Sequence, residues 1–288
     1  MKIHDKCLPC VINQVIKVAN ITGVYKKEEL LKEVFAYLSK MDFESTTPEI
    51  IGQVFNMIKK HTNNPDPYKE TRNYYNTIFL KLLPEFEMRI EQFENPFQLA
   101  VRYAIIGNII DFNPIHNTLL EDIFDCFEKM EQLELAIDDS AALRKDILNA
   151  KKLLYLGDNC GEICMDKILL KRIEVLNPDV EIIFGVRGKP VVNDSIAEDA
   201  YYVGIDEYAE VIDNGDDSLG TVLNRTSSEF KEVYTNADVV IAKGQANYEC
   251  LSEENKKIYF LLMTKCDVIA NDIGVAQNKM ICMKNNAE

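Results

Sequence analysis

The sequence predicts an α/β protein with a helical N-terminal part and a C-terminal part built around a buried parallel sheet. Through about the first 150 residues, apolar side chains recur at helical spacing. After Lys152, short runs rich in Val, Ile and Leu alternate with a helical stretch, a pattern typical of parallel strands. The chain has 288 residues, of which 47% are apolar, so it can bury a large core without disulfides or metals.

Six segments of the N-terminal part are predicted helices. They are 8–19, 30–38, 50–58, 74–82, 96–110 and 140–147. The third opens on Thr46, Pro48 and Glu49, which supply a hydroxyl cap, a first-turn proline and an acid. The proline-rich cluster at 63–67 ends it. Pro96 opens the fifth helix, and we expect Ser140 to cap the last.

Four short apolar runs predict the strands of the C-terminal part. They are 153–156, 180–186, 237–242 and 266–270. A helical stretch, 162–176, lies between the first two. No linker rich in Pro, Gly or Ser separates the two parts. We therefore expect two closely packed domains, 1–148 and 149–288.

The charge balance excludes several classes of partner. The chain carries 32 basic and 47 acidic side chains, a net charge of −15, which repels nucleic-acid backbones and anionic membranes. No stretch approaches the ~20 apolar residues of a membrane helix, and the N-terminus lacks a signal-peptide pattern. We expect a cytoplasmic protein that binds neither nucleic acid nor membrane. Its eight cysteines are expected to be thiols or ligands rather than disulfides.

Polar side chains follow three of the predicted strands. The first strand leads into Asp158, Asn159 and Glu162, and a helix starts there. The second leads to Arg187, Asn193 and Asp194, and the third to Lys243 and Asn247. Ligands of open parallel sheets bind beyond the carboxyl ends of strands. These residues therefore form a candidate site.

The donor types at these strand ends suit a divalent metal. Asp and Asn oxygens are hard ligands, and a set of two carboxylates and one amide leaves positions open for water and substrate. Lys243 and Arg187 could hold phosphoryl oxygens, together with the backbone N–H groups near Gly161. The alternative is purely structural, because Asp-Asn before a helix is a common cap and Asn193-Asp194 a plausible turn.

At these residues the chain resembles the damage-control phosphatases, first catalogued as domain of unknown function 89. Its matching segments, in chain order, are Cys7-Leu8-Pro9-Cys10, Gly107-Asn108-Ile109-Ile110-Asp111, Gly157-Asp158-Asn159-Cys160-Gly161-Glu162, Arg187-Gly188-Lys189-Pro190 with Asn193-Asp194, and Lys243-Gly244-Gln245-Ala246-Asn247-Tyr248-Glu249. The paired N-terminal cysteines match the mostly prokaryotic branch of that family. One departure is Cys160, where the family usually has alanine.

The resemblance implies a helical region joined to an αβα three-layer sandwich with a Rossmann-like sheet. It also implies a metal-dependent phosphatase acting on small phosphate monoesters, such as sugar phosphates and phosphopantetheine-like or damaged metabolites. Asp158, Asn159 and Asp194 match the metal ligands, and Lys243 matches a lysine that holds the phosphoryl group. Glu162, Asn193 and Asn247 match other residues of that site. Mg, Mn, Co and Ni all remain open, since oxygen ligands serve each of them.

Several roles stay open at this point. Asp158 is either a ligand only or the nucleophile, and Asp194 is a ligand or a base. Asn108 and Asp111, three residues apart on one predicted helix, either reach the substrate site or pair polar groups where the two parts pack. The loop 216–220 is expected to be a solvated loop over the site. A thiol at Cys160 is expected beside the metal.

The cysteines and the strand-and-glycine turn allow two other functions. Cys7 and Cys10 could form half of a zinc site, although a second Cys-x-x-Cys is missing; buried thiols on helices are the favoured alternative. A zinc- or thiol-binding protein without enzymatic activity is therefore one competing function. A Rossmann-type methyltransferase is the other, because the segment 153–161 superficially resembles a methyl-donor turn. The sequence does not indicate an oligomeric state.

Overall fold

The computed structural model describes residues 1–24, 26–108 and 120–285. The N-terminal part starts with a short 3-10 helix, Asp5–Cys7, and continues as a series of α-helices. These are α1 (Leu8–Ile21), α2 (Lys27–Leu38), α3 (Thr47–Thr62), α4 (Lys69–Gln92), α5 (Pro96–Gly107), α6 (Leu120–Glu131) and α7 (Ser140–Asn149). The start signal at Thr46 is confirmed as a capping box. The Glu49 backbone N–H donates to the Thr46 hydroxyl, and the Thr46 backbone N–H donates to the Glu49 carboxylate. Asn63, in the left-handed conformation, ends α3.

The remaining elements alternate as expected of an α/β unit. The strands are β1 (Ile137–Asp138), β2 (Lys152–Leu156), β3 (Glu181–Val186), β4 (Glu210–Asp213), β5 (Val239–Lys243), β6 (Ile258–Met263) and β7 (Met280–Lys284). The helices among them are α8 (Glu162–Leu176), α9 (Ala197–Val203), α10 (Ser228–Asn236), α11 (Gly244–Leu251) and α12 (Asp267–Ile273). All six predicted N-terminal helices are present, and the largest difference is at α4, which runs Lys69–Gln92 where 74–82 was predicted. At α7, Asp139 rather than Ser140 stands at the N-cap position, and its side chain makes no capping hydrogen bond.

The strands form one seven-stranded sheet in the order β1-β7-β6-β5-β2-β3-β4. Strands β2 to β6 are parallel to one another, whereas β7 runs antiparallel to β6. Alternate side chains of β2 enter two different cores: Leu153 and Tyr155 on one face, Leu154 and Leu156 on the other. Helices cover both faces. The predicted α/β class, with a helical region and a three-layer sandwich, is therefore confirmed.

One predicted strand was wrong. Residues 267–270 belong to α12, which Cys266 precedes, and the strand at this place is β6, which begins eight residues before Cys266. All six residues of β6 are buried, whereas in α12 Ile269 and Ala270 are buried and Asp267 is exposed. This burial on one side is the pattern of a short surface helix. Helix α6, the short strands β1 and β4 and the antiparallel β7 were also not predicted from the sequence.

Three apolar cores hold the elements together. The largest joins α4, α5 and α8 to one face of the sheet, so it contains residues from both sides of position 148. A second core lies on the other face of the sheet, under α10 and α11. The third joins α1, α2 and α3 and includes Val191 from the loop after β3. The domain boundary at 148 stays a prediction. None of the helices in the described part of the chain is both long and apolar enough for a membrane span.

Candidate active site

The candidate residues meet where the sheet changes its direction of winding. From β2 the chain winds outward to β3 and β4, and it then returns to place β5 on the other side of β2. The carboxyl ends of β5, β2 and β3 are therefore neighbours. A crevice forms at such a switch point because the loops leave neighbouring strands in opposite directions. The three strand ends chosen from the sequence are the three that the topology brings together.

Hydrogen bonds between the loops after β2 and β3 bring the predicted metal ligands together. Asn159 and Asp194 pair as an isolated antiparallel bridge. The backbone N–H of Cys160 donates to the Asn193 carbonyl at 2.9 Å, and that of Ser195 donates to the Asp158 carbonyl at 2.8 Å. Asp158, Asn159 and Asp194 thus lie on two loops that are fixed to each other.

The two aspartates carry negative charge that is only partly neutralised. Burial, the Asp194 charge and the Glu162 charge raise the pKa of Asp158 well above its ordinary value. Burial also raises the pKa of Asp194, against the effect of Arg187, whose Nε donates to Asp194 Oδ2 at 2.6 Å. Arg187 Nη2 lies 3.6 Å from Asp158 Oδ1 and has no hydrogen-bond partner among the described residues. A cluster of this kind favours a bound cation.

Two side-chain amides bridge Asp158 to Glu162. Nδ2 of Asn108 donates to Asp158 Oδ2 at 2.8 Å and to Glu162 Oε2 at 2.7 Å. Nδ2 of Asn159 donates to the same two oxygens at 2.8 and 3.2 Å. Because the Asn159 nitrogen is used in this way, its Oδ1 is the polar atom left for a ligand in the cavity that Asn159 lines.

Asn108 reaches the site from a different position than predicted. Helix α5 ends at Gly107, so Asn108 is the residue that caps it rather than one within it. Its side chain contacts Asp158 and Glu162, which joins the helical part to the site. Asp111, the other residue of the predicted pair, lies outside the described residues.

Lys243 is fully buried in a charged cluster behind the site. Its ammonium donates to Glu162 Oε1 at 2.6 Å and to Asp166 Oδ1 at 2.5 Å, and Tyr155 donates to that same Asp166 atom at 2.6 Å. These carboxylates raise the pKa of Lys243 although burial opposes them. The cluster holds Glu162 in place. A direct role for Lys243 in binding the phosphoryl group stays a prediction.

Asn247 and Gly244 fix the backbone around Asp158. Nδ2 of Asn247 donates to the Lys243 carbonyl at 2.7 Å and to the Gly157 carbonyl at 3.2 Å, and Thr221 donates to its Oδ1 at 2.8 Å. Gly244 has φ +76°, and a side chain there would collide with the Asp158 carboxylate. Asn247 therefore connects strand ends within the protein.

A cavity of about 350 Å³ opens beside Asp158, Asn159, Asn193 and Asp194. Its other walls come from the N-terminal helices, the loop 216–220, helix α11 and the segment that leads from Lys265 into α12; the residues there include Lys6, Gln14, Thr47, Ile51, Leu219, Gln245, Glu249, Lys265 and Val268. Of the predicted substrate-binding residues in the described part of the chain, Asn193 lines this cavity, whereas Asn108, Glu162, Arg187 and Asn247 do not.

Lys265 is a cavity residue that the sequence analysis missed. It follows β6, the strand that was not predicted, and its charge lowers the pKa of Asp158. Within the described ranges, no carboxylate lies at ion-pair distance from its ammonium, whereas Lys6 pairs with Asp267 at 2.5 Å. Lys265 is thus a cation available to an anionic ligand. Recognising the buried run at 258–263 as a strand would have placed it at a strand end.

Three cysteines line the same cavity: Cys7, Cys10 and Cys266. Cys10 is exposed, so the expectation of buried thiols is wrong for this residue. Within 1–24, 26–108 and 120–285, no group of three His, Cys, Asp or Glu residues is arranged to hold a metal ion, and the half zinc site at Cys7 and Cys10 stays a prediction. Cys160 is also not where it was expected, because its buried thiol lies beside Asp199 and Asn76 rather than in the cavity.

The loop 216–220 is packed into the protein and is not the solvated loop that was expected. Asp216 and Ser218 are buried, and Arg225 donates to Asp216 at 2.9 Å. The absence of a side chain at Gly52 lets α3 approach the backbone of Asp217 and Ser218. Leu219 then reaches the cavity wall.

Residues 3–281 match the family model of the damage-control phosphatase ARMT1-like domain. The chain belongs to the damage-control phosphatase family. Over 99% of its length it is 35% identical to a damage-control phosphatase of Pyrococcus horikoshii, covering 99% of that protein. A damage-control phosphatase of Archaeoglobus fulgidus is 31% identical over 98% of both chains. An uncharacterised protein of Methanocaldococcus jannaschii is 36% identical over 99% of this chain and 96% of its own.

Solved structures agree with this membership. The crystal structure of a family protein from Pyrococcus horikoshii matches with a TM-score of 0.92 at 31% identity, covering 99% of this chain and all of the other. The damage-control phosphatase family, its fold and the resemblance noted in the motifs are therefore confirmed together. The names of these relatives support a phosphatase.

Proposed function

We propose that this damage-control phosphatase family member hydrolyses small phosphate monoesters with the help of a divalent metal ion. One observation carries the proposal. Two buried aspartates and the Asn159 amide meet beside a cavity that also contains the cation Lys265. Such a site can hold a metal and an anionic group next to each other. The names of the relatives favour a phosphatase over the methyltransferase alternative.

The residues present fit a hard divalent cation. Asp158, Asn159 and Asp194 would supply two carboxylates and one amide oxygen, the donor types of Mg²⁺ and Mn²⁺. Burial raises the pKa of both aspartates, and Arg187 opposes this rise only in part; a bound cation would stabilise both carboxylates further. When bound, the cation would supply positive charge to a phosphoryl oxygen.

The cavity supports a small substrate. Its volume of about 350 Å³ lies at the lower end of ligand sites. Lys265 would bind phosphoryl oxygens, and the side chains of Gln14, Gln245 and Asn193 offer donors and acceptors to a polar remainder of the substrate. Sugar phosphates and other small phosphorylated metabolites, including damaged ones, are small enough for this cavity and carry both a phosphoryl group and further polar groups.

Water rather than Asp158 is the proposed attacking group. Oδ2 of Asp158 already accepts hydrogen bonds from Asn108 and Asn159, and its Oδ1 faces Arg187. These hydrogen bonds and the neighbouring guanidinium hold the carboxylate in place and stabilise its charge, which favours the role of a ligand over that of a nucleophile. In a single turnover in heavy-oxygen water, we expect the label in phosphate and none in Asp158. Label in the Asp158 carboxylate would contradict this step.

Phosphate release from a panel of small phosphate esters tests the proposal. Each ester is incubated with Mg²⁺, Mn²⁺, Co²⁺ or Ni²⁺ and with chelator, and Asp158→Ala and Asp194→Ala are measured alongside. We expect metal-dependent release that both variants abolish, and the ranking of the esters would identify the substrate class. Folded wild-type protein that releases no phosphate with any metal would refute the proposal.

A further inference from the structure

A buried polar cluster joins the helical part to the two loops that carry the candidate metal ligands. We call Asp66, Arg72, Asn76 and Asp199 the clamp. Arg72 and Asn76 lie one turn apart on α4, and Asp199 lies on α9. The side chains of Arg72, Asn76 and Asp199 are 2% exposed or less. Polar groups buried this deeply are retained only where their hydrogen bonds are met.

The charges of the clamp are balanced by short contacts. Arg72 donates to both carboxylate oxygens of Asp66, at 2.6 and 2.7 Å, and through Nε to Asp199 Oδ2 at 2.9 Å. Nδ2 of Asn76 donates to the other oxygen of Asp199 at 3.1 Å. The Asp199 carboxylate is thus held from two directions by one helix.

The clamp also reaches the backbone of both ligand loops. The N–H of Gly161, two residues after Asn159, donates to Asn76 Oδ1 at 2.6 Å. The N–H of Ile196, two residues after Asp194, donates to Asp199 Oδ2 at 3.1 Å. Asn76 therefore touches one loop directly and the other through Asp199. The thiol of Cys160, the residue before Gly161, packs against the side chains of Asn76 and Asp199.

We propose that Asn76 is a positioning residue that sets the spacing between Asp158–Asn159 and Asp194. It accepts a hydrogen bond from the loop after β2 and donates one to the carboxylate that holds the loop after β3. This inference rests on the proposed metal-dependent function. It assigns a role in the site to a residue of α4 that the motifs do not include. Residues that orient ligands typically change metal affinity or activity 10- to 100-fold when replaced.

Mn²⁺ binding and turnover test the inference in Asn76→Leu, which has a similar size and no polar atoms. We expect the Mn²⁺ dissociation constant from calorimetry to rise about 10- to 100-fold and kcat to fall. Asn76→Asp keeps the acceptor for Gly161 but places a second carboxylate beside Asp199, so we expect an intermediate loss. Asn73→Leu, an exposed position on the same helix, is the matched control and should change neither quantity.

Amide hydrogen exchange of the wild-type protein tests the inference even if the Asn76 variants do not fold. We expect the Gly161 amide to exchange its hydrogen slowly, because Asn76 accepts it in a buried place. Rapid exchange there, or a folded Asn76→Leu with unchanged Mn²⁺ affinity and kcat, would overturn the inference. Wild-type protein that neither binds Mn²⁺ nor releases phosphate would instead refute the proposed function.

Discussion

Lys243 and Lys265 differ in whether carboxylates neutralise the positive charge of their ammonium groups. Lys243 is fully buried between two carboxylates, whereas Lys265 lines the cavity without an ion-pair partner among the described residues. A lysine that already has two carboxylate partners has little to offer an incoming phosphate. The free ammonium of Lys265 can form a charge-assisted hydrogen bond to a phosphoryl oxygen.

Replacing Lys265 should weaken substrate binding. Loss of one hydrogen bond to a charged group costs about 1.5–3 kcal/mol, so we expect kcat/KM of Lys265→Ala to fall roughly 10- to 150-fold, mostly through KM. Lys279→Ala, which removes an exposed lysine outside the cavity wall, is the control. Steady-state kinetics on the best ester of the panel would measure both. An unchanged kcat/KM in Lys265→Ala would remove this residue from the site.

Asp166 gives a pH dependence of stability. Burial raises its pKa from an ordinary 3.8 to about 6, and the charge of Lys243 opposes this rise. A carboxyl whose pKa is higher in the folded state binds its proton more tightly there. Its contribution to the free energy of unfolding is therefore complete below about pH 4 and is lost as the pH rises through about 6.

The variant Asp166→Asn removes this titration. Between pH 4 and 7, the wild type should lose about 2 kcal/mol of unfolding free energy relative to the variant, since the two pKa values differ by about two pH units and pH 4 lies just above the lower one. Urea unfolding of both proteins with chelator present would measure the difference. A constant difference between them over this range would show that Asp166 does not titrate as described.

At the scale of elements, the turn from β5 into α11 shows why a glycine is needed. Gly244 has φ +76°, and its position leaves room for the Asp158 carboxylate against the backbone. Gly274 has φ +83° at the end of α12, but among the described residues beyond its chain neighbours and its own helix no atom lies within 4 Å of where its Cβ would be. The two glycines therefore carry the same backbone requirement in different surroundings.

This pair separates backbone strain from displacement of Asp158. Both Gly244→Ala and Gly274→Ala should lose about 1–2 kcal/mol of stability from the left-handed backbone. We expect phosphate release to survive in Gly274→Ala and to be nearly abolished in Gly244→Ala. Thermal unfolding and phosphate release would be measured on both. Equal activity in the two variants would mean that the Asp158 carboxylate does not depend on Gly244.

Elements with strong local signals were predictable from the sequence. Helix α8 was predicted with the bounds that it has, because a glycine turn precedes it and its apolar stretch is longer than a strand; most of its side chains are buried. The segment 266–270 was not, since a short apolar run is compatible with either a strand or a helix. The choice there depends on β7, which pairs with β6 and leaves α12 outside the sheet.

For the molecule as a whole, the site is a product of topology. The acids after β2 and β3 were predictable, because Asp158 follows its strand and a glycine directly and Asp194 lies in the loop that the next strand leads into. The place of Lys265 was not, since it depends on the position of β6 in the sheet. Nor was Asn76, which meets Gly161 across 85 positions of sequence. Contacts between distant segments leave no local pattern.

The net charge of −15 opposes the binding of an anionic substrate at the site. A phosphate ester must approach a negative protein and bind beside two buried aspartates, so positive charge has to be concentrated in the cavity. Lys265 supplies one such charge. In the proposed function, the divalent cation held by Asp158, Asn159 and Asp194 supplies the rest.

Phosphate release measured in parallel with Mn²⁺ binding tests this central claim most directly. Both quantities are followed over the same Mn²⁺ concentrations, in the wild type and in Asp194→Asn. We predict that release in the wild type rises with the occupancy of one Mn²⁺ site, and that Asp194→Asn loses binding and release together. Full release in the presence of chelator, or release by Asp194→Asn after its Mn²⁺ binding is lost, would contradict the claim.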